Sequence, residues 1–199
     1  SPLLLKADGS KFGKSESGAL WLDQDLTSPY EIYQYFVNAS DQDVINYLKT
    51  LTLLSKEDIL DLEEKLNTQP ELREAQKKLA EEVTKLVHGQ KALDEALRVT
   101  NALFSGEFSD LTLNEFKMIE KTLDTAIVNE GLLLIDALIE TNLASSKREA
   151  RQFISSSAVS INGEKITDLE YALSKDKTYH QRYVMMRRGK KKYALILIK

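Results

Sequence analysis

The sequence predicts a chain that is mainly α with a C-terminal α+β module. Three observations carry this. Between residues 28 and 104 apolar residues recur at helical spacing, and several of the runs open on capping residues. After residue 156 the apolar spacing shortens to two, and Asn162-Gly163 supplies the residues that a tight hairpin turn prefers. The charge changes over the same interval. Residues 132–199 hold 13 Lys+Arg against 7 Asp+Glu, whereas residues 1–131 hold 14 against 24. A basic end on an acidic body points to local binding of a polyanion.

A chain of 199 residues is long enough for one or two domains with real cores. Its 42% hydrophobic content and three prolines fit a soluble, helix-rich globular protein. No apolar run is long enough to span a membrane, and no charged-then-apolar leader is seen, so neither a membrane nor a secretory destination is expected. The absence of cysteine excludes disulfides and thiolate metal sites and suits a reducing, cytoplasmic setting. His88 and His180 lie far apart in the sequence, so no His-rich metal site is expected.

Taken in order, Pro2-Leu3-Leu4-Leu5 reads as the end of a buried strand and Asp8-Gly9-Ser10 as a turn. Lys11, Gly13, Lys14 and Ser15 then read as a flexible cationic loop. Two lysines on a glycine-containing loop can close over a polyphosphate and release it, although the same pair also suits a plain solvated loop.

The helical body follows. Ser28-Pro29-Tyr30-Glu31 combines an N-cap, a proline at the first helical position and a capping-box glutamate. Tyr30, Tyr33, Phe36 and Val37 follow at helical spacing and read as core more than as stacking groups. A second helix, 41–54, turns Val44, Ile45, Leu48 and Leu51 inward, and Ser55 caps a third with Ile59, Leu62 and Leu66 inward. Thr68-Gln69-Pro70-Glu71 reads as a capping box opening a long helix with Leu72, Ala75, Leu79, Val83, Leu86 and Val87 on one stripe. Gly89 ends or kinks it, and another helix runs over about 90–104. His88 has no nucleophile or acid arranged with it, so no catalytic role is assigned; a histidine at a helix C-terminus favours the dipole there.

Residues 105–131 read as a connector. Ser105-Gly106 breaks the helix, Thr112 to Glu115 is a capping box for a short helix over 113–122, and Asn129-Glu130-Gly131 is a second break. The expected boundaries are therefore 1–18, 19–131 and 132–199, with the last two separable.

The final segment begins with a helix over 132–141. A second, 146–156, opens on Ser146 and Glu149 as a capping box, turns Ala150, Phe153 and Ile154 inward and leaves Lys147, Arg148 and Arg151 as a cationic ridge. Strands are expected at 159–161, 166–167, 182–187 and 192–198, with Arg187, Arg188, Lys190, Lys191 and Lys192 at a cationic hairpin tip. Such a tip can simply protect a sheet edge. Beside a basic helix it also suits a phosphate backbone.

Two stretches resemble known families. L-A-S-S-x-x-E-A-R-x-x-I over 143–154, followed by V-x-I-N-G-E-K over 159–165, resembles the RNA-binding module named after small-subunit ribosomal protein S-four, over about residues 132–199. K-A-D-G-S-K-F-G-K-S-E-S-G-A-L-W-L-D, with S-P-Y-E-I-Y-Q-Y-F-V-N, is very similar to bacterial tyrosyl-tRNA synthetases, in which K-F-G-K-S stands where class I synthetases carry K-M-S-K-S. L-A-E-E-V-T-K-L-V-H-G and A-L-F-S-G extend that resemblance through a helical anticodon-side domain.

The resemblance implies a class I ligase that joins tyrosine to tRNA(Tyr) at the expense of ATP, with Mg2+. Lys11 and Lys14 would stabilise the pyrophosphate, and Lys14 would bind ATP. Lys147, Arg148, Arg151, Arg187, Arg188, Lys190, Lys191 and Lys192 would hold RNA. No β-α-β series and no His- and Gly-rich ATP motif is seen, so the chain is expected to be a C-terminal fragment without most of the catalytic domain, itself inactive but able to bind tRNA. A homodimer is implied for the parent. A non-enzymatic, synthetase-derived RNA-binding protein is the alternative.

Overall fold

The computed structural model describes residues 14–15, 18–23, 26–190 and 192–199. Pro2 to Leu5, the Asp8-Gly9-Ser10 turn and Lys11 lie outside the described residues. The chain divides into two compact units, Ser1–Leu97 and Arg98–Lys199.

In the first unit, β1 (Lys14–Ser15) pairs antiparallel with β2 (Gly18–Ala19), so the second half of the expected cationic loop is ribbon. Helices α1 (Pro29–Val37), α2 (Asp41–Leu51), α3 (Lys56–Thr68) and α4 (Glu74–His88) follow. Each of the first three opens on a serine whose hydroxyl accepts the N–H three residues on. At α1 the Glu31 carboxylate also accepts the Ser28 N–H at 2.7 Å, completing the box. Ile32, Tyr33, Phe36, Val44, Leu48, Leu79 and Ala80 form the centre of the core, with α4 against α1.

The expected start of α4 is displaced. Thr68 ends α3, Pro70–Leu72 makes a single 3-10 turn, and Arg73 takes a left-handed conformation (φ 52°) before α4 begins at Glu74. Arg73 has a reason to stand there: its guanidinium donates to the carbonyls of Val37 at 2.9 Å and Ala39 at 3.1 Å. Those carbonyls lie at the C-terminal end of α1, where acceptors lack helical partners. Leu72 and Leu86, placed on the apolar stripe by spacing, are exposed. His88 closes α4 with its Nε2 buried, and this burial pushes its pKa below the ordinary value, with Asp23 opposing. Desolvation therefore outweighs the pull of the Asp23 carboxylate toward a charged imidazole.

The second unit is built on a five-stranded sheet ordered β3-β7-β6-β4-β5: β3 (Thr125–Val128), β4 (Val159–Ile161), β5 (Glu164–Ile166), β6 (Tyr183–Arg188) and β7 (Lys192–Ile198). All neighbours are antiparallel except β3, which runs parallel to β7 with Ala126 opposite Ile196 and Val128 opposite Ile198. Asn162-Gly163 makes the expected turn, both residues at positive φ (49° and 88°). Asn162 does more than turn the chain: its Oδ1 accepts the Met185 N–H at 2.8 Å and its Nδ2 donates to the Lys177 carbonyl at 2.6 Å.

One face of the sheet carries Val159, Ile161, Val184, Met186, Ala194 and Ile196 and packs beneath α7 (Leu134–Glu140) and α8 (Lys147–Ser155). The other face carries Tyr183, Met185, Leu195 and Leu197 and lies against α6 (Leu113–Thr122). Phe116 of α6 stacks on the Tyr183 ring (5.0 Å between centroids, 13° between planes), and Phe108 meets Tyr193 edge-on at 5.6 Å. The Tyr183 hydroxyl donates to Glu120 at 3.0 Å.

This arrangement corrects the boundary expected between 131 and 132. Residues 105–131 are not a connector. Their strand lies in the sheet, and their helix covers one of its faces. The break read at Asn129-Glu130-Gly131 is a real turn (Gly131 φ 87°), but it lies inside the second unit, where the Gly131 N–H donates to Leu173. Arg98, in α5 (Gln90–Ser105), ties α6 down. Its Nε lies 3.0 Å from Glu115 Oε1, and its terminal nitrogen donates to Oε2 at 3.0 Å and to the Asp110 carbonyl at 2.9 Å.

Candidate nucleic-acid interface

Helix α8 is short and strongly two-sided. Ala150 and Ile154 are wholly buried and Phe153 packs beside them, whereas Lys147, Arg148 and Arg151 are exposed. The helix starts where the sequence placed it, but its cap is shared between two serines. Ser146 Oγ accepts the Glu149 N–H at 3.2 Å, while the Glu149 carboxylate reaches past Ser146 to the N–H and hydroxyl of Ser145, both at 2.6 Å. Those bonds hold the Glu149 pKa below its ordinary value, with Arg188 and Lys192 adding to the effect.

The structure brings together only part of the expected cationic set. Lys147 is paired with Asp136 of α7, Nζ to Oδ1 at 2.8 Å, so its charge is partly spent within the protein. Arg187 and Arg188 are adjacent strand residues and therefore point to opposite faces. Arg188 turns toward α8, where it donates to the Leu143 carbonyl at 2.5 Å and lies over the Phe153 ring at 4.7 Å. Arg187 turns to the other face. There it lies over Tyr193 at 6.0 Å, and Gly106 (φ 86°) leaves it room: a Cβ at that glycine would meet the Arg187 guanidinium at 3.0 Å. The tip itself is smaller than expected, because Arg187 and Arg188 end β6 and Lys192 opens β7. Lys190 and Lys192 are exposed; Lys191 lies outside the described residues.

A groove of about 460 Å3 runs between α8 and the hairpin, lined by Glu149, Phe153, Ala158, Arg188, Gly189, Lys190 and Lys192. Three cations beside the exposed Arg148 and Arg151 suit a polyanion. Sequence reasoning missed Phe153 and Glu149 as groove residues, because helical spacing marks the first as core and the capping pattern marks the second as structural. The two-residue alternation of β6 was the available sign that Arg188, and not Arg187, would join them.

Of the expected nucleotide site, Lys11 lies outside the described residues and Lys14 is described only as part of β1. Among the described residues no group of three or more His, Cys, Asp or Glu could hold a metal ion. Among them also, no helix is long and apolar enough to cross a membrane.

Two family models match. Residues 1–105 match the class I tRNA synthetases (W and Y), and residues 115–196 match the tyrosine--tRNA ligase SYY-like C-terminal domain. The chain is similar to the tyrosine--tRNA ligase of Bacillus pumilus, 51% identical over 100% of this chain and 47% of that protein. It is also similar to the tyrosine--tRNA ligase of Ligilactobacillus salivarius, 49% identical over 100% of this chain and 48% of that protein. A solution structure of a tyrosyl-tRNA synthetase C-terminal domain is 35% identical over 49% of this chain and 100% of that one, with a TM-score of 0.36. The chain thus spans about half the length of the curated relatives it matches.

Proposed function

The chain belongs to the class I tRNA synthetases of the W and Y group, and from that premise we propose that it is the tRNA-binding region of a tyrosine–tRNA ligase. The whole protein would activate tyrosine with ATP and Mg2+ in the cytoplasm, as a homodimer, and transfer the tyrosine to the 3′ end of tRNA(Tyr). Lys11 and Lys14 would stabilise the charge that develops on the pyrophosphate. This stretch alone binds RNA without forming the adenylate. Its second unit is a module of the S-four type, and its first is the anticodon-side domain.

The observation that carries the reading is the exposure of Arg148 and Arg151 on α8 beside a groove holding Arg188, Lys190 and Lys192, within the segment that matches a tyrosine--tRNA ligase C-terminal domain. Phosphate contacts release counterions, so affinity falls with salt in proportion to their number. Replacing Arg148 and Arg151 by Ala should weaken tRNA binding and flatten the log–log salt slope by roughly one to two units. Because phosphate contacts position and do not specify, unrelated RNAs should lose similar affinity. Arg187→Ala should move the slope far less, since that side chain serves the other face. Binding titrations across a salt series decide the matter: an unchanged slope in the double variant places the RNA surface elsewhere.

A further inference from the structure

The groove between α8 and the β6–β7 hairpin is not lined as a plain phosphate site would be. A carboxylate stands within it. Glu149 is ionised at neutral pH and is aimed by its two bonds to Ser145, both of which use Oε2. A carboxylate repels phosphate and accepts hydrogen bonds from N–H groups. Arg188 is equally fixed, held by the Leu143 carbonyl on one side and backed by the Phe153 ring on the other. A guanidinium plane held this way is a platform on which a base can stack. Gly189 and Ala158 add little bulk to the walls, and the exposed Lys190 and Lys192 can meet a backbone phosphate, Lys192 near enough to Glu149 to lower its pKa.

We propose that this groove receives one unstacked nucleobase carrying an exocyclic amino group, stacked on Arg188 and donating to Glu149, with its phosphate at Lys190 and Lys192. The proposal rests on the RNA-binding reading and deepens it. Phosphate contacts alone are blind to sequence, whereas a fixed acceptor favours a base with an amino donor, as a carboxylate does with cytosine N4. Uracil presents a carbonyl oxygen at that position and would face the carboxylate with no proton between them.

The test uses the full chain and two single-stranded hexanucleotides, oligocytidylate and oligouridylate, at one salt concentration and neutral pH. The two probes are pyrimidines of the same size that differ at this amino group and at the neighbouring N3, an acceptor in cytosine and an N–H donor in uracil. Oligocytidylate should bind about tenfold more tightly, the equivalent of one well-placed charge-assisted hydrogen bond. Glu149→Gln keeps an oxygen for Ser145 and offers an amide N–H2 in place of the second acceptor, so the preference should vanish or reverse while the salt slope stays unchanged. Arg188→Lys keeps the charge and loses the plane, and should weaken both probes. Equal binding of the two oligonucleotides, a preference that survives Glu149→Gln, or no binding of either overturns the proposal. If folded tRNA still binds with a salt slope that depends on Arg148 and Arg151, only the base reading has failed; if tRNA does not bind, the RNA reading has failed as well.

Discussion

The two faces of the five-stranded sheet solve the same burial problem with different materials. The face under α7 and α8 is aliphatic, and its helices come from the segment directly before β4. The face under α6 is aromatic, with Phe116 against Tyr183 and Phe108 against Tyr193. It is also tied by polar contacts, Tyr183 to Glu120 and Arg98 to Glu115. The cationic groove opens on the aliphatic side, while the aromatic side is closed by residues that precede the first α7 turn. A module cut at residue 132 would keep the groove and lose the cover of the sheet's other face.

Emptying each face in turn should give the largest effects. Phe116 is wholly buried and stacked, so Phe116→Ala should destabilise the second unit by about 3–5 kcal/mol. Ile154→Ala, on the α8 side, should cost about 2–5 kcal/mol. Denaturant unfolding followed by Tyr183-sensitive fluorescence or near-ultraviolet dichroism measures both. A loss below about 0.5 kcal/mol for Phe116→Ala, within the range of ordinary surface changes, would mean that 105–131 is a connector after all.

Next in size is the tie that anchors α6. Glu115 is fully buried and Arg98 about half exposed, at 0% and 51% of their side-chain surfaces. The two partners should therefore differ in what their removal does. Arg98→Ala leaves a buried carboxylate held by the Thr112 N–H at 2.6 Å and hydroxyl at 3.0 Å, and should cost about 3 kcal/mol. Glu115→Gln removes the charge, keeps an oxygen for the Thr112 cap and leaves an arginine that water can reach, so about 1 kcal/mol is expected. Equal effects from the two variants would show that the pair behaves as an exposed one.

The difference between the faces is also a difference in legibility. Much of what is signalled within ten residues could be read from the sequence: the Ser28 and Thr112 capping boxes, the two-sided α8 and the Asn162-Gly163 turn. β3 could not. It is four residues long, its partner β7 lies about seventy residues away, and a parallel pair has no turn to announce it. The Asn129-Glu130-Gly131 break is chemically real, but a turn inside a domain and a linker between domains use the same residues. The start of α4 was misplaced for a related reason. The capping pattern at Thr68 competes with Arg73, whose left-handed backbone is supported by acceptors more than thirty residues earlier in the chain. At the candidate site, the cations were legible by type but not by direction: a run of basic residues reads as one patch until strand alternation sends Arg187 and Arg188 apart.

The smallest expected effects separate the faces by pH. Burial raises the Tyr183 pKa above its ordinary value of 10.0, and the Glu120 carboxylate that accepts its proton raises it further, against a smaller opposing effect of Arg182. A raised folded-state pKa gives a stability contribution that is fully present below pH 10 and is lost as pH rises through the folded value. Glu149 is shifted the other way. Its bonds from Ser145 hold it below the ordinary value of 4.5, so its contribution is present above that value and fades as pH falls through the folded one. Tyr183→Phe should therefore cost about 1 kcal/mol at neutral pH and flatten the alkaline limb of stability against pH, leaving the acid limb alone. Glu149→Gln should flatten the acid limb and leave the alkaline limb alone. Unfolding free energies at pH 4, 7 and 10.5 for the two variants and the parent chain are enough to see this. An alkaline limb unchanged by Tyr183→Phe would assign that loss to another phenol whose pKa burial also raises, Tyr179 in the loop beside the strand or Tyr30 and Tyr33 in the first unit, and would take the titrating group off the strand.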